Sequence, residues 1–270
     1  MEGLFLKKLC VIGCGVMGRT IVRGIVDSGL VASQDIIATT RSSDSAQQVR
    51  ESLGIETTTD NRLAARKSRV ILIALKPQIL ENVAGEFCGD IGKDAIIISI
   101  AAGKNIQTLE GYFSPSRKII RAMPNIQALV REGISLLCGN GNVTPEDMGE
   151  ALKIFRALGE VEEIPERLMN AAMALTSCSP AYVALFVEAM ADAGVKLGLT
   201  RQQAFSLSGQ AVCGAAKLLH EKKLHPATMK DMVCSPGGTT IEGVAVLEDN
   251  GFRGTVIRAI EAAARKAGAM

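Results

Sequence analysis

The chain divides into two stretches with different secondary-structure patterns, and this division limits its possible folds more than any other feature. Up to about residue 164, short apolar runs alternate with helical patterns. Such alternation predicts a mostly parallel sheet with helices on both faces. The predicted strands are residues 9–12, 36–39, 70–74, 95–99, 118–122 and 133–138. The predicted helices between them are residues 19–28, 44–53, 61–66, 79–87 and 106–112, with one more begun by Thr144-Pro145-Glu146.

From about Pro165 the strand signals stop, and the remaining patterns all predict helices. The predicted helices are residues 166–176, 180–197, 201–220, 227–233, 240–248 and 252–267. Residues 171–193 are apolar on most faces of their helix, which in a chain of 270 residues predicts a partner subunit that covers one side. The sequence therefore predicts one domain over residues 1–164 and an all-α domain over residues 165–270.

A glycine-rich turn follows the first predicted strand and opens the first helix. Gly13-Cys14-Gly15-Val16-Met17-Gly18 has the spacing and the setting of a dinucleotide-binding fingerprint. Gly13 would make the turn, Gly15 would let backbone approach a pyrophosphate, and Gly18 would let the helix pack on the strand. The first domain is therefore predicted to be an α/β Rossmann-like domain that binds NAD(P).

The end of the second predicted strand indicates which dinucleotide is preferred. NAD-preferring sites usually carry Asp or Glu there, whereas this chain has Thr39-Thr40-Arg41-Ser42-Ser43. A guanidinium with nearby hydroxyls suits a 2′-phosphate. We therefore expect NADPH, with NADH as the second cofactor. The structural alternative is that Arg41 is a solvated loop arginine.

Three further predicted strands end in segments where an open α/β sheet binds ligands. Ala74-Leu75-Lys76-Pro77-Gln78 and Ala101-Ala102-Gly103 follow two of them, and their small residues leave room for a nicotinamide ring. Arg121-Ala122-Met123-Pro124-Asn125 ends the third, where Pro124 alone could set a turn.

A second glycine-rich turn, Ser235-Pro236-Gly237-Gly238-Thr239-Thr240-Ile241, interrupts the helical half. The helix after it would begin with free N–H groups and the positive end of its dipole at the turn. Such a turn can hold a carboxylate while the hydroxyls of Ser235, Thr239 and Thr240 reach a neighbouring polar atom. The alternative is an ordinary loop with a threonine cap.

Composition excludes several classes of function. The net charge is only +2, with acids and bases interspersed, and the chain has no Trp, so neither a nucleic-acid face nor a base-stacking platform is expected. Residues 4–14 are too short an apolar run for a membrane span. Seven cysteines without a CxxC pair and two isolated histidines make a metal site improbable, and the scattered thiols fit a reducing cytoplasm.

Several of these segments, taken in order, resemble the pyrroline-5-carboxylate reductase family over nearly the whole chain. The pieces include the fingerprint, Lys76-Pro77-Gln78 and the stretch from Asp231 to Ile241. The fingerprint is shared by many families, whereas the stretch from Asp231 to Ile241, joined to Ala189, Asp192, Gly194, Lys196 and Gly198 upstream, is specific. The resemblance implies reduction of the cyclic imine 1-pyrroline-5-carboxylate to L-proline by NAD(P)H. It also implies a helical domain that interleaves with a twofold mate, so that each site draws on two subunits, and dimers that can assemble into rings.

The resemblance also implies roles for residues. Thr240 matches the threonine whose hydroxyl approaches the ring nitrogen, and Asn61, Lys76, Ala102 and Glu166 match cofactor contacts. The expected substrate-binding residues are Ser235, Gly237, Gly238, Thr239 and Thr240. The full set of expected cofactor contacts is Ile12, Gly13, Gly15, Val16, Met17, Gly18, Thr39, Arg41, Asn61, Ala74, Leu75, Lys76, Ala101, Ala102 and Glu166.

The sequence departs from the family pattern at Thr176, Ser177 and Ile126-Gln127, where Ser, Gly and Thr-Pro are more usual.

Two other interpretations of the function compete with this resemblance. A β-hydroxyacid dehydrogenase would need a lysine acid/base in the helical domain, for which Lys196 is the candidate. A catalytically idle relative would bind the nucleotide as a sensor, against which Thr240, Lys76 and the three fingerprint glycines argue.

Overall fold

The computed structural model describes residues 7–268 and separates into two compact units. The second unit is Cys178–Lys266, and the other described residues belong to the first. The domain boundary that the sequence places between residues 164 and 165 stays a prediction. The compact units divide later, so residues 165–177 pack with the first unit.

The first unit is built on an eight-stranded sheet with the order β3-β2-β1-β4-β5-β6-β7-β8. All neighbouring strands are parallel except β6 and β7. The strands are β1 Lys7–Ile12, β2 Ile36–Thr39, β3 Glu56–Thr58, β4 Ser68–Ile73, β5 Ile96–Ser99, β6 Lys118–Met123, β7 Gly133–Gly139 and β8 Gly159–Glu163. The mostly parallel α/β sheet predicted from the sequence is confirmed.

Helices cover both faces of this sheet. The cores on the two faces are formed by α1, α2 and α6 on one side and by α3, α4 and α5 on the other. The helices are α1 Val16–Asp27, α2 Ser43–Leu53, α3 Asn61–Lys67, α4 Pro77–Phe87, α5 Ile106–Phe113, α6 Pro145–Arg156 and α7 Met169–Thr176. Side chains of Ser42, Asp60, Asn105 and Thr144 cap four of them.

The second unit consists of helices that bury very little within one chain. They are α8 Ser179–Lys196, α9 Arg201–Lys222, α10 Pro226–Val233, α11 Thr239–Asp249 and α12 Phe252–Gly268, of which residues 267 and 268 are grouped with the first unit. Within Cys178–Lys266 only Ala191, Ala204 and Ser208 are buried. Large apolar side chains of the unit are exposed, among them Val183, Leu185, Phe186, Leu197, Phe205, Leu207, Val246 and Ile257. Such a surface requires a covering partner.

The stretch Glu166–Lys196 is long and apolar enough to cross a membrane by length and composition alone. It is not one continuous helix, because α7 ends at Thr176 and α8 begins at Ser179. That no membrane is a partner stays a prediction.

Candidate functional site

The turn between β1 and α1 is held from the end of β2. Gly13 has φ +88°, in the left-handed region that favours glycine. Its N–H donates to Thr39 Oγ1 at 3.2 Å, and the N–H of Cys14 donates to the Thr39 carbonyl at 2.9 Å. Thr39 is buried, so its hydroxyl supports the turn from within.

Gly15 and Gly18 are glycines for opposite reasons. A Cβ added to Gly15 would have no atom within 4 Å, so the space beside it is open. A Cβ added to Gly18 would lie 2.9 Å from the Gly13 carbonyl oxygen and 3.4 Å from Val11 Cγ1. Helix–strand packing therefore requires Gly18, whereas Gly15 leaves room for a ligand at the backbone.

The first turn of α1 presents free backbone N–H groups. Gly15 is the N-cap, no side chain in residues 7–268 accepts from the turn, and the turn holds no acidic residue. Free N–H groups at the positive end of a helix dipole suit an anion. The open space at Gly15 and the uncapped α1 together fit the pyrophosphate of a dinucleotide.

Arg41 lies directly beyond β2 and is exposed. Within residues 7–268 it makes no hydrogen bond or ion pair with another residue, so its guanidinium is available to a ligand. Ser42 accepts from the N–H of Ser45 and begins α2. The structure thus places Arg41 and Ser42 just beyond β2, at the predicted ribose edge.

The ends of β4 and β5 lie beside that of β1. The N–H of Ala74 donates to the Ile12 carbonyl at 2.9 Å, and the N–H of Ile100 donates to the Ile73 carbonyl at 3.1 Å. Lys76 is exposed and begins α4 as its N-cap. Ala101 is buried and Ala102 is exposed. Ile12 is fully buried, so only its backbone could reach a ligand.

Asn61 is the first residue of α3, and its Nδ2 donates to Glu86 Oε2 at 3.2 Å. The side chain therefore already has a protein partner. Its contact with a cofactor, like every contact expected from the sequence, stays a prediction.

A partly buried ion pair lies near the end of β6. Arg121 Nη1 donates to Glu166 Oε1 at 3.2 Å, and the same oxygen accepts from the N–H of Ile106 at 2.7 Å. The sequence marked Glu166 as a cofactor contact and Arg121 only as part of a strand end. Nothing in the spacing signals that these side chains meet.

Two of the departures from the family pattern leave polar atoms without partners. Gln127 Oε1 and Ser177 Oγ are buried and have no hydrogen-bond partner within residues 7–268. Nearby, Asn125 Nδ2 donates to the Thr176 carbonyl at 3.0 Å, and Asn125 Oδ1 accepts from the N–H of Ile134 at 3.0 Å. An unpartnered buried polar atom costs on the order of 1–3 kcal/mol.

None of the seven cysteines forms a disulfide. Burial raises the pKa of Cys14 to about 11, and burial, followed by the Glu166 carboxylate, raises the pKa of Cys138 to about 11. These thiols stay protonated at neutral pH and are poor nucleophiles. Residues 7–268 contain no group of three or more His, Cys, Asp or Glu side chains that could hold a metal ion.

In the second unit, the turn before α11 is tightly closed. Gly237 has φ +66°, and the N–H of Gly238 donates to the Ser235 carbonyl at 3.0 Å. A Cβ on Gly238 would lie 3.1 Å from that carbonyl oxygen. The turn therefore favours glycine at both positions, at Gly237 for its backbone conformation and at Gly238 for its close approach to Ser235.

The start of α11 repeats the arrangement found at α1. Gly238 is the N-cap, and no side chain in the described part of the chain accepts from the first turn. Thr239 and Thr240 are the first two residues of the helix, and both are exposed. Within residues 7–268 their hydroxyls have no hydrogen-bond partner. This turn can hold an anion with its backbone and contact a neighbouring group with its hydroxyls.

Comparison with known sequence families agrees with this division of the chain. Residues 8–103 match the family described as "NADP oxidoreductase coenzyme F420-dependent", and residues 166–270 match "Pyrroline-5-carboxylate reductase dimerisation". The fold and site thus define a Rossmann-type oxidoreductase of the NADP-binding class. Its helical part is a dimerisation domain, which supports a homo-oligomer and explains the exposed apolar helices.

Relatives of the whole chain give the particular family. The pyrroline-5-carboxylate reductase of Escherichia coli (strain K12) is 44% identical over 254 residues, which are 94% of each chain. The solved pyrroline-5-carboxylate reductase from Coxiella burnetii is 34% identical, with a TM-score of 0.93 and coverage of 97% of this chain and 98% of that one. The Plasmodium falciparum pyrroline carboxylate reductase with NADP bound is 33% identical, with a TM-score of 0.86 and 99% of each chain covered. The chain belongs to the pyrroline-5-carboxylate reductase family.

Proposed function

We propose that this protein reduces 1-pyrroline-5-carboxylate to L-proline with NADPH, the final step of proline synthesis, and that it also accepts NADH. The observation that carries the proposal is the start of α11, where uncapped N–H groups and two unpartnered hydroxyls lie side by side. A carboxylate beside an imine nitrogen is the substrate chemistry that such a pair of groups fits.

The cofactor would be held entirely by the first unit. Gly13, Gly15 and the uncapped start of α1 suit the pyrophosphate, and Arg41 suits the 2′-phosphate. When bound there, NADPH supplies a hydride to the imine carbon. The remaining proposed contacts are those of the sequence analysis, namely Ile12, Val16, Met17, Gly18, Thr39, Asn61, Ala74, Leu75, Lys76, Ala101, Ala102 and Glu166.

The substrate would be held by Ser235, Gly237, Gly238, Thr239 and Thr240. The backbone N–H groups at the start of α11 would bind its carboxylate, and the Thr240 hydroxyl would accept a hydrogen bond from the protonated ring nitrogen. A protonated imine is already electrophilic, so the reaction needs orientation rather than a nucleophile or a metal ion. Nitrogen keeps its proton and becomes the ring amine when the hydride forms the new C–H bond.

We further propose a cytoplasmic enzyme with no nucleic-acid or membrane partner, working as a dimer that can assemble into a ring. The free, scattered cysteines support a reducing compartment. The apolar helices of the second unit support a twofold partner.

The direct test follows NADPH oxidation after addition of 1-pyrroline-5-carboxylate and identifies proline as the product, without added metal. Hydroxy acids and ketoacids form the comparison panel. Turnover of hydroxy acids with none of the imine would overturn the proposal in favour of a β-hydroxyacid dehydrogenase, and Lys196, exposed at the end of α8, would then be its candidate acid/base.

Substitution of Thr240 tests the catalytic assignment. Thr240→Ala should lower kcat/KM roughly ten- to hundredfold, because one polar contact to the reacting centre is worth on the order of 1–3 kcal/mol. Thr240→Ser should keep much of the rate. Thr255→Ala is the matched control, since Thr255 is an exposed threonine in the first turn of α12 whose hydroxyl donates to the Gly251 carbonyl just before that helix and accepts from Arg258. Wild-type kinetics in a destabilised Thr240→Ala protein would show that Thr240 only stabilises the helix.

A further inference from the structure

The end of β6 carries an arginine whose burial the fold alone does not require. Arg121 is 5% exposed and pairs in register with Ser99 of β5, at the sheet edge where the cofactor residues lie. Its ion-pair partner within residues 7–268 is Glu166, at 3.2 Å. Its Nε has no hydrogen-bond partner there. An ion pair between a buried arginine and a partly exposed carboxylate contributes little net stability, the more so when one arginine N–H is unpartnered. Its effect is better sought in the position that it gives to Glu166.

Glu166 links the arginine to the start of α5. Its Oε1 accepts from Arg121 and also from the N–H of Ile106, the first residue of α5, at 2.7 Å. Because one oxygen takes both hydrogen bonds, the other oxygen of this carboxylate is left for further contacts. The Glu166 side chain is 33% exposed, so without Arg121 water could compete for it.

The segment fixed in this way contains the small residues expected beside the nicotinamide ring. It runs from the end of β5 to Ile106. At its start, the N–H of Ala101 donates to Ser99 Oγ at 3.3 Å, and at its end the Ile106 N–H is held by Glu166. Both ends of the segment are therefore anchored, and Arg121 fixes the second anchor.

We infer that Arg121 is a positioning residue that acts through Glu166 to hold the 101–105 segment against the nicotinamide end of the cofactor. The inference rests on the proposed function only for the location of that end. The adenosine and pyrophosphate contacts lie at β1, β2 and α1, so Arg121 should leave them unaffected.

The test compares two ligands that differ only in the nicotinamide. Calorimetry gives Kd for NADP+ and for 2′-phospho-ADP-ribose, which lacks the ring. Arg121→Met should raise Kd for NADP+ about tenfold, the value of one charge-assisted contact, because the contact that holds Glu166 is lost. It should leave Kd for 2′-phospho-ADP-ribose within about twofold of the wild-type value. A simple loss of stability would not change the ratio of the two constants.

Lys118→Met is the matched control. Lys118 lies on the same strand, at its opposite end, and its ammonium pairs with the buried carboxylate of Asp147 at 2.8 Å. This variant removes the cation beside a buried carboxylate and should lower the melting temperature. It should leave both dissociation constants unchanged.

Two conservative variants keep the inference testable if Arg121→Met fails to fold. Arg121→Lys keeps the charge but not the reach to Glu166, so it should reproduce the loss in part. Glu166→Gln keeps an acceptor for Ile106 and should weaken NADP+ less than Arg121→Met does. Equal weakening of both ligands, or no weakening of NADP+, in a folded variant would overturn the inference. Failure of the wild-type protein to reduce the imine would overturn the proposed function. The ratio of Kd for NADP+ to Kd for 2′-phospho-ADP-ribose would still test the role of Arg121.

Discussion

Gly15→Ala separates ligand binding from folding at the fingerprint. The residue has φ −79° and ψ −157°, which an alanine adopts without strain, and its Cβ would point into open space. Loss of unfolded-state freedom should stabilise the variant by about 0.4–1 kcal/mol. Alanine is a poorer N-cap than glycine, which should cost a similar amount, so the net change in unfolding free energy should be close to zero.

The cost of Gly15→Ala should instead appear in cofactor affinity. The added methyl group would stand where a pyrophosphate must approach the N–H groups of α1. Loss of one hydrogen bond to a charged group is worth about 1.5–3 kcal/mol, so Kd for NADPH should rise roughly ten- to hundredfold. The Gly18→Ala variant should behave differently, because its Cβ meets the Gly13 carbonyl oxygen at 2.9 Å. That variant should lose on the order of 1–3 kcal/mol of stability.

Calorimetric titration with NADPH and thermal unfolding of each variant provide the measurements. Gly149→Ala is the control, since its Cβ would also meet open space but lies on α6. It should gain stability and bind NADPH like the wild type. If Gly15→Ala also bound NADPH like the wild type, the cofactor could not approach α1 along its backbone, and the site built on this helix start would be refuted.

Two further predictions concern cofactor choice and assembly. Arg41→Ala should raise KM for NADPH about tenfold and leave KM for NADH unchanged, because only the 2′-phosphate would lose a charged partner; equal effects in steady-state assays would make Arg41 a surface charge. Light scattering at micromolar concentration should show at least a dimer. Leu185 of α8 is 67% exposed in one chain, so Leu185→Asp should weaken the dimer. A stable, active monomer would contradict the shared-site arrangement.

The sequence predicts the sheet well where strands are buried on both faces. Continuous apolar runs such as those of β4 and β5 leave no other assignment for segments of that length. It misses β3 and β8, because they lie at the two edges of the sheet and consist largely of Thr and Glu. An edge strand need not bury both faces, so the apolar signal is absent.

The sequence pattern also does not predict that β7 runs antiparallel to β6, because alternating strands and helices imply parallel strands joined by crossovers. A turn at Ile126–Val130, without a full helix, connects β6 to β7, and a connection this short returns the chain antiparallel. Likewise the first predicted helix of the second half is shorter than expected. Residues 166–168 form a 3-10 turn, and α7 begins only at Met169.

The candidate site shows the same distinction between local and distant signals. The fingerprint and the turn before α11 are visible in the sequence because glycine marks backbone conformations within a few residues. The orientation of Thr39 is not visible in the sequence, since its hydroxyl could either contact a ligand or accept a hydrogen bond from the Gly13 N–H. The pairing of Arg121 with Glu166 joins residues 45 positions apart, and no local pattern records such a contact.

The second unit shows why the proposed substrate turn depends on assembly. Helices α8 to α11 bury only three side chains within Cys178–Lys266, whereas a stable core needs many more. The turn at Ser235 to Thr240 belongs to this unit. A second copy that covers the apolar faces would supply the missing burial. Folding of the proposed substrate turn and formation of the homo-oligomer would then be one equilibrium, so the stability of the proposed site would depend on protein concentration.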